Sequence, residues 1–213
     1  MTRRWPLPTH RDSPQLPLMS KRRANPSRGK SSAASSNAPE VVAGDSHLQL
    51  VKRGGWIYAH RPNATGVVAV VALTGEGELI FVEQFRPPVQ CPVIEFPAGL
   101  AGDIAGEDQE SLASAARREL WEETGYRARH VKRLFTGASS AGMTDETMTF
   151  FLARGLRREH DGGGVGNERI TVHHIARDRA RRWLERSAER GSLVDARVYA
   201  GLYFLDQTVP PEE

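Results

Sequence analysis

The sequence predicts an α/β fold: a mixed β-sheet sandwiched between helices and preceded by a small antiparallel β element. Three observations carry that expectation. Residues 66–73, GVVAVVAL, form an unbroken apolar run rich in valine, the pattern of a strand buried on both faces. Leu112, Ala115, Ala116 and Leu120 recur at helical spacing, and Gly125 follows where a left-handed C-terminal cap belongs. Strand-like and helix-like segments interleave along the chain, as they do where helices cover a sheet.

Each element follows from its own residues. In HLQLVKRGGWIYAHR the apolar positions alternate about Gly54-Gly55, which predicts a hairpin. TGEG turns the chain, and ELIFVEQF, residues 78–85, returns as the next strand. PVIEFPAG reads as a short strand ending in a loop punctuated by proline and glycine. A helix is expected from about Asp108 to Thr124, with strands near 131–136, 147–153 and 169–175. Helices are expected over roughly 177–189 and 195–205, the second capped by Asp195. The division along the chain is a leader over 1–40, an N-terminal β element over 41–65 and a main domain over 66–208.

Composition narrows the class. A chain of 213 residues fits one domain with a tail. The formal charge of +3 misleads until the charges are located. Residues 1–39 hold eight Lys and Arg against Asp12 alone, whereas the remaining chain carries 21 basic and 25 acidic residues. The body is therefore acidic, and the basicity belongs to the leader. That leader is rich in Pro, Ser and Arg without apolar periodicity, so it is expected to stay disordered. A start at Met19, a transit sequence and a polybasic arm are its other readings. An acidic body without a basic–aromatic stripe argues against a nucleic-acid partner. No apolar run reaches 18 residues, as a spanning helix would require. Cys91 is the only cysteine, which rules out an intrachain disulfide and suits a reducing cytoplasm.

The chemistry is concentrated in RELWEETGY, Arg118 to Tyr126. Glu119 and Glu123 are four apart and Glu122 is three from Glu119, so a helix puts all three on one face or beside it. Like charges at that spacing repel, and a divalent cation between them offsets the repulsion. Oxygen ligands with no nearby His or Cys suit Mg²⁺ or Mn²⁺ rather than zinc. Magnesium in turn favours phosphate substrates. A solvated acidic helix face is the bland alternative for E-x-x-E-E alone.

The wider segment resembles the Nudix box. Glu110, seven intervening residues, Arg118-Glu119-Leu120, Glu122-Glu123, Gly125 and Tyr126 match that pattern. One departure stands at its start. The family glycine normally lies six residues before the first Glu, but Gly99 lies eleven before Glu110, as if LAGDIAGEDQ held a five-residue insertion. Glu107 is the rival to Glu110. FVEQFRPPV, IEFPAGL and the C-terminal VDARVY are further similar to the ADP-ribose and ADP-sugar pyrophosphatase branch, over roughly residues 50–205.

That resemblance implies a Nudix α/β/α sandwich and hydrolysis of a nucleoside-diphosphate sugar, ADP-ribose first among them, to AMP and ribose 5-phosphate. It implies Glu119, Glu123 and the Ala98 carbonyl as Mg²⁺ ligands, with Mn²⁺ able to substitute. Glu122 would share metals or waters, and Arg118 would orient the carboxylates. The general base would come from DGGGVGNERITVH as Glu168, with Glu159 and Asp161 as alternatives. Arg86 would face phosphate and ribose, Glu146 the terminal ribose, and Trp56 the adenine ring. Their bland alternatives are a strand-end salt bridge, a loop acid and a core tryptophan. Where the ADP-ribose subfamily carries a proline about sixteen residues after the box glycine, this chain has Ala141. The resemblance also implies a homodimer whose N-terminal hairpins complete the partner's site. Other nucleotide sugars, dinucleotides and a non-catalytic ligand sensor are the competing functions.

Overall fold

Strands β1 (Glu40–Gly44), β2 (Gln49–Arg53) and β3 (Trp56–His60) form a small antiparallel sheet at the N-terminal end of the domain. Gly54 and Gly55 have φ of 54° and 89°, the left-handed pair that a two-residue hairpin turn requires. The predicted hairpin is therefore present, with β1 added as a third strand along β2. The computed structural model describes residues 38–104 and 109–209. The chain divides into Met1–Ser36 and Asn37–Glu213, and every described residue lies in the second part. The readings of the leader, Met19 included, fall outside the described residues, as does Glu107.

The main sheet starts with β4 (Gly66–Leu73), the valine-rich run, and β5 (Glu78–Arg86). β6 (Cys91–Glu95) and β7 (Ala98–Ala101) follow, then helix α1 (Leu112–Thr124) and the long hairpin β8 (Tyr126–Ala138) and β9 (Thr147–Arg158). β10 (Thr171–Ala176) leads through a short 3-10 turn into α2 (Ala180–Glu189). β11 (Leu193–Val194) and α3 (Ala196–Thr208) close the described chain. The strand order is β11-β6-β5-β4-β9-β8, with β10 on β5 and β7 on β4. β4 runs parallel to β9 and antiparallel to β5 and β7, so the sheet is mixed.

The continuous apolar pattern of β4 has the expected cause. Val67, Ala69, Val71 and Leu73 enter one core with Phe81, Leu184, Val198 and Leu205. Val68, Val70 and Ala72 enter the other with Ala115, Ala116 and Leu120 of α1. Two cores on opposite faces of one sheet make the α/β/α sandwich.

Several boundaries differ from the sequence expectation: α2 begins at Ala180, after the 3-10 turn, α3 runs on to Thr208, and three further differences are larger. Helix α1 begins at Leu112 rather than near Asp108, because the Ser111 hydroxyl accepts from Ser114 N–H at 3.1 Å and caps the first turn. Glu110 therefore precedes the helix. The β8–β9 hairpin extends well past both predicted strands, through residues alternately half-buried and exposed. PVIEFPAG makes two strands rather than one. Its corner at Phe96-Pro97 is pinned by Val70 N–H donating to the Pro97 carbonyl at 2.8 Å. β4 pairs with β5 only at Ala72 and Leu73, and takes β7 as its partner over residues 66–69. The sheet splits there, and Ala98 stands at the split.

Candidate active site

Helix α1 lays Glu119 and Glu123, one turn apart, along the edge that faces β7. Both are buried, at 9% and 4% exposure. The Glu123 carboxylate accepts from Ala98 N–H at 3.2 Å. Glu119 lies against the backbone of Gly99, where an added Cβ would stand 2.0 Å from its carboxyl carbon. Only glycine admits that approach, which gives the box glycine its physical reason.

Arg118 ties the acids of this region together. Its Nε and Nη2 donate to the two Glu110 oxygens at 3.1 and 3.0 Å. Nη1 donates to Glu119 at 2.7 Å and to Glu122 at 3.1 Å, and Nη2 also reaches the Leu100 carbonyl at 2.8 Å. Burial disfavours the Arg118 charge, but the Glu110 hydrogen bonds and the Glu119 charge outweigh it and hold the guanidinium protonated. The arginine thus orients Glu119 and Glu122 by fixed hydrogen bonds.

Glu123 has no basic partner among the described residues. Burial, then the Glu119 charge, pushes its carboxyl up to about 9 against the Ala98 hydrogen bond, and Glu168 and Glu95 add to the shift. Burial pushes Glu119 up to about 7 against Arg118, with Glu122 and Asp103 adding. Two buried carboxylates beside the β7 backbone, one of them without a basic partner among the described residues, are hard-oxygen donors that fit a divalent cation. Among the described residues no three His, Cys, Asp or Glu side chains cage an ion by themselves. The remaining ligand positions would fall to the Ala98 carbonyl, water and phosphate.

The glycine-rich loop after β9 docks on the C-terminal end of α1. Gly163 N–H donates to the Glu123 carbonyl at 2.8 Å, and Gly164 N–H to that of Glu122 at 3.2 Å. These bonds satisfy carbonyls that a helix end leaves without partners. Gly162 packs so closely that an added Cβ would stand 2.4 Å from the Glu123 carbonyl oxygen. The loop carries Glu168, exposed and folded back to accept from Val165 N–H at 2.9 Å. Its two rivals are engaged elsewhere. Glu159 accepts from Arg127 at 2.6 Å, from Trp121 Nε1 at 3.2 Å and from Arg157, and the Arg127 hydrogen bond holds its carboxyl below the usual range. Asp161 is exposed and pairs with Arg158 at 2.9 Å.

The expected substrate residues lie in two groups. Arg86 makes a salt bridge to Glu95 at 2.6 Å and keeps part of its guanidinium open. Glu146 pairs with Arg61 at 3.1 Å, and next to it Asp145 pairs with His60 at 2.9 Å. These pairs join the end of β3 to the β8–β9 loop, where Ala59 N–H also donates to the Met143 carbonyl at 2.8 Å. Trp56, at the other end of β3, is 66% exposed and is not a core residue. Sequence reasoning missed Glu95 and Arg197, which share a cleft with Ala98 and Met148. The signal was an acid inside an otherwise apolar strand, VIEF, and an arginine two residues after a helix cap.

A mixed sheet between helices, with a buried glutamate pair at a glycine-backed helix edge, is an α/β arrangement of the Nudix class. The chain belongs to the Nudix family: the NUDIX domain model matches residues 63–187. It is 43% identical over 91 residues to an ADP-ribose pyrophosphatase of Bacillus subtilis (strain 168), covering 43% of this chain and 46% of that one. It is 34% identical over 142 residues to an ADP-ribose pyrophosphatase of Mycobacterium tuberculosis, covering 64% and 63%. A methanol dehydrogenase activator of Bacillus methanolicus is 33% identical over 121 residues, covering 56% and 63%. The chain thus spans less than two thirds of the length of these relatives. Among solved structures, an ADP compounds hydrolase superposes with a TM-score of 0.63 at 20% identity, over 81% of this chain and 91% of that one. That likeness concerns the fold. Among the described residues no helix is long and apolar enough to cross a membrane.

Proposed function

We propose that this Nudix protein hydrolyses the pyrophosphate bond of a nucleoside-diphosphate sugar with Mg²⁺ (or Mn²⁺), ADP-ribose foremost, giving AMP and ribose 5-phosphate. The observation that carries the reading is the buried Glu119–Glu123 pair beside Ala98, with no cation of its own for Glu123. The similarity to proteins named ADP-ribose pyrophosphatase supports the substrate class.

In this reading Glu119, Glu123 and the Ala98 carbonyl would hold the metal, Glu122 would share in that role, and Arg118 orients the carboxylates. A bound divalent cation supplies neutralisation of phosphoryl charge and acidification of a ligated water. Glu168 swings in on the glycine loop and takes the proton of the attacking water. A new phosphorus–oxygen bond forms in line as the bridging phosphorus–oxygen bond breaks, and the leaving phosphate departs with the bridging oxygen. Arg86 grips the diphosphate, Glu146 the terminal ribose, and Trp56 stacks on adenine.

The N-terminal β element (41–65) serves as the dimer contact in the same reading. Its exposed Val41, Val42, Leu48, Leu50, Trp56 and Ile57 support a homodimer. The test is hydrolysis of ADP-ribose, UDP-glucose and GDP-mannose with and without Mg²⁺, products identified by mass. Mg²⁺-dependent AMP release from ADP-ribose is expected. No cleavage of any nucleotide sugar would end the proposal.

A further inference from the structure

The motif VDARVY supplies none of the reacting groups, yet its arginine reaches the Glu95 carboxylate that also takes Arg86. Asp195 caps α3 by accepting from Arg197 N–H at 2.8 Å, and its oxygens also take Arg197 Nε at 2.8 Å. Arg197 Nη2 extends from there to Glu95 Oε1 at 3.4 Å, while Nη1 rests on the Met148 sulfur at 3.7 Å. The other Glu95 oxygen receives Arg86 through Nε at 2.8 Å and Nη2 at 2.6 Å. Asp195, Arg197, Glu95 and Arg86 thus form a row of alternating charge from the start of α3 to the end of β5. Only its last member has a role toward phosphate. Arg86 Nη1 has no partner among the described residues, so the row ends in open donors.

The Glu95 and Asp195 carboxylates are largely buried while the Arg86 and Arg197 side chains stay 42% and 38% exposed, and pairing a buried carboxylate commonly adds little net stability. What a hydrogen-bonded ion row provides that apolar packing does not is a fixed guanidinium orientation. We propose that Arg197 is a positioning residue: through the buried Glu95 carboxylate it holds the Arg86 guanidinium in the orientation that grips the substrate diphosphate. The inference rests on the reading that Arg86 faces phosphate.

Glu95 is the vulnerable link. It is faced by Arg86 and Gln84 of β5, by Arg197 and Asp195 at α3, and by the charge of Glu123 on α1. Burial raises its pKa and the two arginines oppose that rise. Without Arg197 the Glu95 Oε1 oxygen loses its partner at α3, and the carboxylate that holds Arg86 is no longer fixed from both sides.

The experiment is a double-mutant cycle on ADP binding, measured by calorimetry with Mg²⁺ present, in wild type, Arg86→Ala, Arg197→Gln and the double variant. Arg86→Ala is expected to weaken ADP on the order of tenfold or more, the scale of a lost charge-assisted hydrogen bond. Arg197→Gln is expected to weaken it several-fold, yet change it less than about twofold once Arg86 is gone. Adenosine affinity should be unaltered. Arg197→Lys should recover part of the loss, and it carries the cycle if the glutamine variant does not fold. Additive losses, equal losses for ADP and adenosine, or unchanged ADP affinity in either single variant would overturn the proposal. Wild-type cleavage of ADP-ribose judges the function separately, since the cycle requires no turnover.

Discussion

Glu123→Gln should stabilise the metal-free protein while abolishing turnover. The substitution keeps the side-chain shape, and the amide oxygen can still accept from Ala98 N–H while the amide nitrogen faces Glu119. Burial and the Glu119 charge hold the folded-state pKa of Glu123 at about 9, against an ordinary value of 4.5. A carboxyl whose pKa is raised on folding contributes its full stability below the unfolded value. It loses that contribution as pH rises through the window up to the folded value. At pH 7 the loss is at most about 3 kcal/mol, from ~1.36 kcal/mol per pH unit above the unfolded pKa. The neutral glutamine never incurs it. Coupling to Glu119 shares the burden, so a gain of roughly 1–3 kcal/mol is expected, or roughly 3–9 °C in Tm for a domain of this size. The assay is thermal unfolding in EDTA between pH 6 and pH 9, repeated in Mg²⁺. Without metal, the advantage of the variant should grow with pH. With Mg²⁺ the order should reverse, because ligand binding stabilises only the protein that binds it, and binding strengthens as the carboxylates lose their protons. A variant less stable than wild type in EDTA at pH 8, or one raised equally by Mg²⁺, would refute both the electrostatic argument and the metal assignment.

Glu168→Gln should lower kcat by ~10²–10⁴-fold with Mg²⁺ affinity little changed, while Glu159→Gln and Asp161→Asn stay near wild type in steady-state kinetics; a collapse in either of those instead would move the base. Gly99→Ala should yield folded protein with little Mg²⁺-dependent activity, because the new methyl occupies the space of the Glu119 carboxylate; calorimetric Mg²⁺ titration checks it. Trp56→Ala should weaken adenine nucleotides by ~1–3 kcal/mol relative to ligands without a base, as measured by binding calorimetry. Deleting residues 1–39 should leave turnover and Tm nearly as they were, measured on the purified truncation.

How much of this was legible in the sequence depends on the range of the interaction concerned. Periodicity revealed β4, because an unbroken apolar strand of eight residues has to be covered on both faces. It also revealed α1 with its Gly125 cap, and α3 with its Asp195 cap. These are local rules. The split of PVIEFPAG into two strands was not visible, since it depends on Val70 reaching the Pro97 carbonyl across the sheet. Likewise Arg86 could be read as phosphate-facing or as a strand-end salt bridge. It makes the salt bridge, yet with a guanidinium edge left open, so the two readings were never exclusive. Glu95 and Arg197 are 102 residues apart in the chain, and no local pattern connects them.

The same distinction explains how the site is built. Acid side chains supplied by one helix were evident from spacing, but their burial was not, and burial gives them their chemistry. Glu119 and Glu123 exposed on a helix surface would repel by a few tenths of a kcal/mol and need no partner. Packed against Ala98 and Gly99, the same pair is desolvated, and burial with the mutual charge pushes it toward neutrality although the Ala98 hydrogen bond opposes this. Burial against the β7 backbone therefore turns an acidic helix face into a site that gains from a cation. The loop that shields the helix end also carries Glu168. Docking of the loop and delivery of the proposed base are thus coupled through one segment, and a change that loosens the Gly162–Gly164 contacts should weaken both together.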